Sequence, residues 1–351
     1  MDDDRWYAVN TTPADVESAL RELQFARARR SPGFVPARVL NLVAIVDAEF
    51  SGEVENRLER LRAAHPSRLI LCKVAEEQEG LDATASIGST MGEPSGDRIA
   101  VGREKIELTL APRHAAALDT IVGRLLIGDV PTVVWAPHRH ADGLDSLRRH
   151  AQVVLLDSQD EPDPYDAMER ARSLSEHMRV VDLAWLRSAP WRERVAATFD
   201  PPRLRGDLRS ITAVTVRHRE DSAAAGLLFC GWMASRLEWR PLSLTRTGVD
   251  RVGRLRARRG EVAVRLQSVD MQSPGLGGVT IETAAGESVS FDRGPGGLRS
   301  HRRERDGREQ TWTVFGASRG EAGILADGVR IALSPGSIYE PALRAAHAMV
   351  A

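Results

Sequence analysis

The chain has 351 residues, long for a single core and of a length that suggests two domains. Its 42% hydrophobic and 28% charged residues are those of an ordinary soluble globular protein, and a formal net charge of -1 steers it toward neither nucleic acid nor an anionic membrane. No apolar run approaches the roughly 18 residues needed to cross a bilayer, and the acidic start Met1-Asp-Asp-Asp-Arg-Trp6 lacks the pattern of a signal peptide. Thr12-Pro13-Ala14-Asp15 opens a helix, because Thr can cap, Pro fits the first turn and Asp suits the positive end of the dipole. Val16, Leu20 and Leu23 follow at helical spacing to about Arg30. Residues 38–47 form a β-branched apolar run, best read as a buried strand. A helix over 51–64 carries Val54, Leu58 and Leu61 until His65-Pro66 stops it, and residues 68–74 are a second buried strand. Strand–helix–strand order is the unit of a parallel sheet.

Residues 80–97 are rich in Gly, Ser and Thr and read as a loop with a short strand. A longer strand over 98–110 precedes a helix from Ala111-Pro112 to Leu126, which Gly128-Asp129 ends. Residues 131–136 and 153–157 are further buried strands, and 164–177 and 183–198 are helices. The texture changes at Pro201-Pro202, so the expected domains are residues 1–203 and 204–351. The second begins with a strand over 211–218 and a small-residue helix over 222–237. From Arg240 onward, short alternating strands (261–269, 279–283, 288–291, 310–315) are separated by Gly-rich turns, and helices over 319–327 and 338–349 finish the chain. The expected fold is therefore α/β, with an N-terminal Rossmann-like, mostly parallel sheet flanked by helices, plus a C-terminal α+β domain with an antiparallel sheet.

Motifs for catalysis are absent. No Gly-x-Gly-x-x-Gly follows a buried strand, and the clusters at Gly275–Gly278 and Gly294–Gly297 lie between antiparallel strands as turns. Walker A, Gly-x-Ser-x-Gly, His-Glu-x-x-His and Cys-x-x-Cys do not occur. The expectation is no catalytic residue, no cofactor and no metal. His138-Arg139-His140 follows the strand ending at Trp135, at the edge where ligands often bind. Asp142 and Asp145 are its nearest further ligands, and a solvated loop is the preferred reading. Cys72 and Cys230 each sit in an apolar run and read as small core residues, in keeping with a reducing cytoplasm.

Partner surfaces are the stronger signal. Four of the seven Trp (Trp185, Trp191, Trp232, Trp239) fall between 182 and 239, and Trp is costly to expose and enriched where surfaces meet. Trp185, Trp191 and Arg192 are the first partner-binding candidates, and interdomain core is the other reading of the same helix, with Pro190 at a fresh first turn. The second candidates are Arg302, Arg303 and Arg305, beside the hairpin signal Asp306-Gly307. They read as a solvated hairpin tip or as a docking surface for an acidic partner. A two-residue loop there would oppose Arg305 to Arg308 and Glu304 to Glu309; like charges destabilise, which argues for another register. The cluster has no stacking aromatics among its basic residues, so nucleic acid is not expected. Nearly all of the 48 basic residues are Arg, with Lys73 and Lys105 the exceptions, which reads as the bias of a GC-rich genome.

Seven motifs in order resemble one family: Asn41-Leu-Val43, His65-Pro-Ser-Arg68, Leu126-Ile-Gly-Asp-Val-Pro-Thr-Val-Val-Trp135, Asp182-Leu-Ala-Trp185, Pro190-Trp-Arg-Glu193, Phe199-Asp-Pro-Pro202 and Gly231-Trp-Met-Ala-Ser-Arg-Leu-Glu-Trp239. They resemble the glucose-6-phosphate dehydrogenase assembly protein family, OpcA, over roughly residues 35 to 240. The Arg-rich composition is similar to that of an actinobacterial member. The resemblance implies a non-catalytic cytoplasmic partner that binds oligomeric glucose-6-phosphate dehydrogenase. Such a partner promotes its active assembly or raises its substrate affinity, and so serves the oxidative pentose phosphate pathway and NADPH supply. Cysteines confer redox control in some photosynthetic members, but the apolar settings of Cys72 and Cys230 do not carry this over. On this reading Trp191→Ala weakens the complex with little loss of folding. The rival class is an enzyme or sensor that binds a sugar phosphate or nucleotide on the N-terminal domain. The chain's own oligomeric state is left open, a homo-oligomer included.

Overall fold

The computed structural model describes residues 4–31, 34–36, 38–64, 66–89, 100–315, 320–332 and 338–351. Residues 90–97 of the expected Gly/Ser/Thr-rich loop, His65 and Arg319 lie outside them. The described chain opens with β1 (Asp4–Ala8) and α1 (Pro13–Arg30). Thr12 and Asp15 cap α1 reciprocally, each side chain accepting the other's backbone N–H, with Pro13 in the first turn. Next come β2 (Phe34–Pro36), β3 (Leu40–Asp47), α2 (Ser51–Ala64), β4 (Ser67–Val74), β5 (Asp82–Ser89) and β6 (Ala100–Leu110). After α3 (Leu118–Val122) follow β7 (Thr132–Trp135), α4 (Ala141–Leu147), β8 (Val153–Leu156), α5 (Pro164–Ser175) and β9 (Arg179–Asp182).

These strands make one sheet in the order β1-β5-β6-β4-β3-β7-β8-β9, with β2 also on β6. The run β6-β4-β3-β7-β8 is parallel, and β1 and β5 join antiparallel. β3 is buried from Leu40 to Val46, as a strand covered on both faces must be, so its sequence runs apolar instead of alternating. Asn41 in that strand is fully buried. Its amide donates to Ile127 O at 3.0 Å and Thr132 Oγ1 at 3.2 Å and accepts Ile127 N–H at 3.0 Å, which clips the turn before β7 to β3. At the opposite end of the strands from Asp47, Arg68 meets Glu104 at 2.8 Å and Glu17 at 2.9 Å, and Arg38 also pairs with Glu104. Burying a charge is tolerable only when paired and hydrogen-bonded, which accounts for Arg68 within its motif.

The chain continues through α6 (Leu183–Arg187), α7 (Ala189–Phe199), β10 (Ile211–Arg219) and α8 (Ala223–Arg236). β11 (Thr245–Thr247), β12 (Asp250–Ala257), β13 (Gly260–Val269), β14 (Leu276–Thr283), β15 (Ser288–Gly294), β16 (Gly297–Arg303) and β17 (Glu309–Phe315) follow. α9 (Gly320–Ala332) and α10 (Tyr339–His347) end it. The second sheet runs β11-β12-β13-β10-β14-β15-β16-β17 and is antiparallel except for the parallel pair β10–β13. Val214, Val216, Val262, Val264, Leu266, Val279, Ile281 and Phe291 are buried on one face of this sheet, and α8 packs on β10 and β13. A Cβ on Gly231 of α8 would stand 2.2 Å from Ala342 O, so the approach of α10 to α8 requires glycine.

Two compact units divide the chain, Met1–Leu156 with His177–Val181 and Glu321–Leu333, and Asp157–Glu176 with Asp182–Gly320 and Ser334–Ala351. The expected division after residue 203 thus falls inside the second unit. α5 docks on α10 and α8, and α6 docks on α8; sequence order alone does not say which sheet a helix covers. No helix among the described residues is long and apolar enough to cross a membrane.

Candidate partner interface

Asp182 closes β9 and caps α6, accepting Ala184 N–H at 2.9 Å. It is fully buried and also accepts Ser158 N–H at 3.2 Å, Ser158 Oγ at 2.5 Å and Tyr339 Oη at 3.0 Å. Burial, with Asp157 nearby, pushes its carboxyl up to about 6. Beside it, Arg187 grips Asp157 through both guanidinium nitrogens at 2.8 and 2.6 Å. α6 stops at Ser188, and Pro190 starts α7 in its first turn, as its fixed φ and missing N–H favour.

The aromatic residues of this segment are core. Trp185, Trp191 and Phe199 are 6%, 3% and 5% exposed, and Arg192 only 7%. The Arg192 guanidinium carbon lies 3.4 Å from the centre of the Trp185 ring, and its Nη1 donates to Trp185 O at 2.7 Å and to Ser188 Oγ. Tyr339 meets the same indole edge-on at 5.7 Å. Trp185, Trp191 and Arg192 are therefore largely buried in this fold, which favours the core reading of this segment over the contact-surface one.

The basic hairpin is the reverse. β16 and β17 are joined with Arg303 opposite Glu309, and Glu304 N–H donates to Arg308 O at 2.8 Å. Three residues form the loop, with Gly307 at φ +81°, a longer turn than the two-residue one. This register sets Arg303 against Glu309 and removes both like-charge oppositions. Arg303 and Arg305 are exposed and Arg302 is half-buried. Arg308 is paired with Asp306 and Glu304, whereas Arg299, Arg303 and Arg305 have no ion pair among the described residues. β17 ends the sheet, and six of its seven residues are exposed. Trp312 is 37% and Phe315 76% exposed; residues an odd number apart on a strand point to opposite faces, so these two flank the edge. An edge strand offers unpaired backbone groups to another chain, and sequence reading missed Trp312 because it stands outside the Trp-dense stretch.

Cys72 and Cys230 are free and buried, and burial pushes each thiol up to about 12, away from thiolate chemistry. β3 is followed by a short turn and α2, without a glycine-rich loop. His138 and His140 meet Asp47, at 3.5 and 3.2 Å, and not the expected Asp142 or Asp145. Burial holds the His140 imidazole below its usual value.

Two family models match this chain. The N-terminal domain of a glucose-6-phosphate dehydrogenase subunit matches residues 58–173, and the C-terminal domain of the same subunit matches residues 178–343. A Synechocystis sp. protein bearing the name OxPP cycle protein OpcA is 28% identical over 202 residues, 56% of this chain and 42% of that protein. Its namesake in Nostoc punctiforme is 32% identical over 200 residues, 55% of this chain and 42% of that protein. The chain thus spans less than half the length of these curated relatives. A super-repressor mutant of Gal80p from Saccharomyces cerevisiae overlays with a TM-score of 0.49 at 7% identity, covering 84% of each chain; an overlay that loose carries no argument about activity.

Proposed function

Because this chain belongs to the glucose-6-phosphate dehydrogenase subunit family, OpcA, we propose that it is a non-catalytic assembly factor and activator of that dehydrogenase in the oxidative pentose phosphate pathway. The observation that carries the reading is the succession of both family domains along one chain. The exposed edge strand β17, with Trp312, Phe315 and the unpaired Arg303 and Arg305, supports it as a docking surface for an acidic face of the enzyme. The buried cluster of Trp185, Trp191 and Arg192 then acts indirectly, by holding α6 and α7 against the rest of their unit.

An effector shifts an equilibrium only by binding one state better than another. If the chain favours the substrate-competent dehydrogenase, glucose 6-phosphate must tighten the complex by the same factor. The test mixes the purified chain with the dehydrogenase of the same organism and follows the rate across glucose 6-phosphate concentrations. A saturable fall in KM or rise in kcat is expected. Unchanged kinetics together with separate elution on a sizing column would remove the proposal.

A further inference from the structure

The docking reading leaves unused a cluster at the carboxyl edge of the parallel sheet. β3 ends on Asp47, and its neighbour β7 ends three residues before His138, so both strands deliver side chains to the edge where open α/β sheets bind ligands. Asp47, His138 and His140 each offer one ligand atom, and the three atoms lie within 4.8 Å of one another. Asp47 Oδ1 stands 3.2 Å from His140 Nε2, and Asp47 Oδ2 stands 3.5 Å from His138 Nδ1. Ligand atoms held at their usual lengths around a tetrahedral zinc are about 3.3 Å apart. The spacing is that of two donors sharing an ion.

Three further features agree. His140 Nε2 is buried and makes no hydrogen bond, so the nearby carboxylate is not aligned to receive one. Such orphaned groups are rare and demand a reason. Arg139 takes φ +59°, a left-handed conformation that strains a non-glycine residue, and this kink lets the flanking histidines converge on Asp47. Phe50 packs edge-on against the His138 ring at 5.1 Å, which fixes its plane. One feature opposes: Asp47 N–H donates to His138 Nδ1 at 3.1 Å, and an ion at that nitrogen must displace it.

We propose that Asp47, His138 and His140 form a divalent transition-metal site, with Zn²⁺ the ion that two imidazoles and one carboxylate suit best and one position left for water or an anionic ligand. Mg²⁺ and Ca²⁺, which favour all-oxygen shells, are poor occupants. The site does not depend on how the chain docks on the dehydrogenase.

The test uses the full chain, stripped with a chelator and titrated with Zn²⁺ by calorimetry. Co²⁺ serves as a spectroscopic probe of the ligand geometry. One Zn²⁺ per chain, a rise in Tm with Zn²⁺ and a visible Co²⁺ band of four-coordinate intensity are expected. His140→Ala and Asp47→Ala should each weaken Zn²⁺ by about 100-fold, the upper end of what supporting groups alone achieve. His138→Gln, at a half-buried loop position, provides a third variant should Asp47→Ala fail to fold. Absence of Zn²⁺ binding to the wild-type chain, binding unchanged in folded His140→Ala, or equal affinity for Mg²⁺ would each overturn the site.

Discussion

The segment around Trp185 and Trp191 and the β16–β17 hairpin that carries Trp312 both combine tryptophan with arginine, and the structure uses the two residue types in opposite ways. In the first, Arg192 Nη1 donates within its own segment to Trp185 O and Ser188 Oγ, and the guanidinium stacks on the buried Trp185. Arg192 is 7% exposed. In the second, Arg303 and Arg305 stay exposed without an ion pair among the described residues, and Trp312 is partly open. The contrast teaches that an aromatic–arginine cluster becomes core where the guanidinium stacks on the ring and finds acceptors in its own segment, and surface where it does neither. Counting tryptophans cannot separate the two.

The sharpest way to break this comparison is Trp191→Ala. At 3% exposure its truncation should cost about 3–5 kcal/mol, seen as a large drop in Tm, while the folded fraction still binds the dehydrogenase normally. A wild-type Tm with lost binding would reverse the assignment of the two regions. Asp182→Ala comes next, at about 2–4 kcal/mol, because Ser158, Tyr339 and Ala184 all lose their acceptor.

The same carboxyl predicts a pH signature. Its folded value is raised from 3.8 to about 6, so the folded state binds the proton more tightly than the unfolded one. That contribution is full below about pH 4 and fades as pH rises through about 6, by roughly 3 kcal/mol in all. Denaturant titrations across this window should show the fall, and Asp182→Asn should flatten it. Smallest in stability is Arg303→Glu with Arg305→Glu, which should leave unfolding within about 0.5 kcal/mol. Binding should nevertheless weaken at least tenfold and lose part of its salt dependence, as expected for exposed charges that steer association.

Much of the fold could be read from the residues. The β-branched runs of β3, β4, β7 and β8 were legible because both-face burial leaves few polar positions, and Pro190 marked the restart at α7 by its own geometry. Short elements were not: β2 has three residues and β9 four, and α4 was hidden by Gly143 and two aspartates within seven positions. At the candidate interface, the hairpin turn and the need for another register followed from charge, whereas the exposure of Trp312 depends on β17 having no outer neighbour among the described residues. The burial of Trp185 depends in turn on Tyr339, 154 positions later. The Asp47 contact was out of reach for the same reason, since it lies 91 positions from His138.

The most direct measurement is the affinity of glucose-6-phosphate dehydrogenase for the chain carrying Arg303→Glu and Trp312→Ala, taken beside its Tm and with glucose 6-phosphate present. The account predicts a Tm near that of the parent chain and binding weakened at least tenfold. Parent-like affinity in that folded variant would contradict docking through the β16–β17 edge.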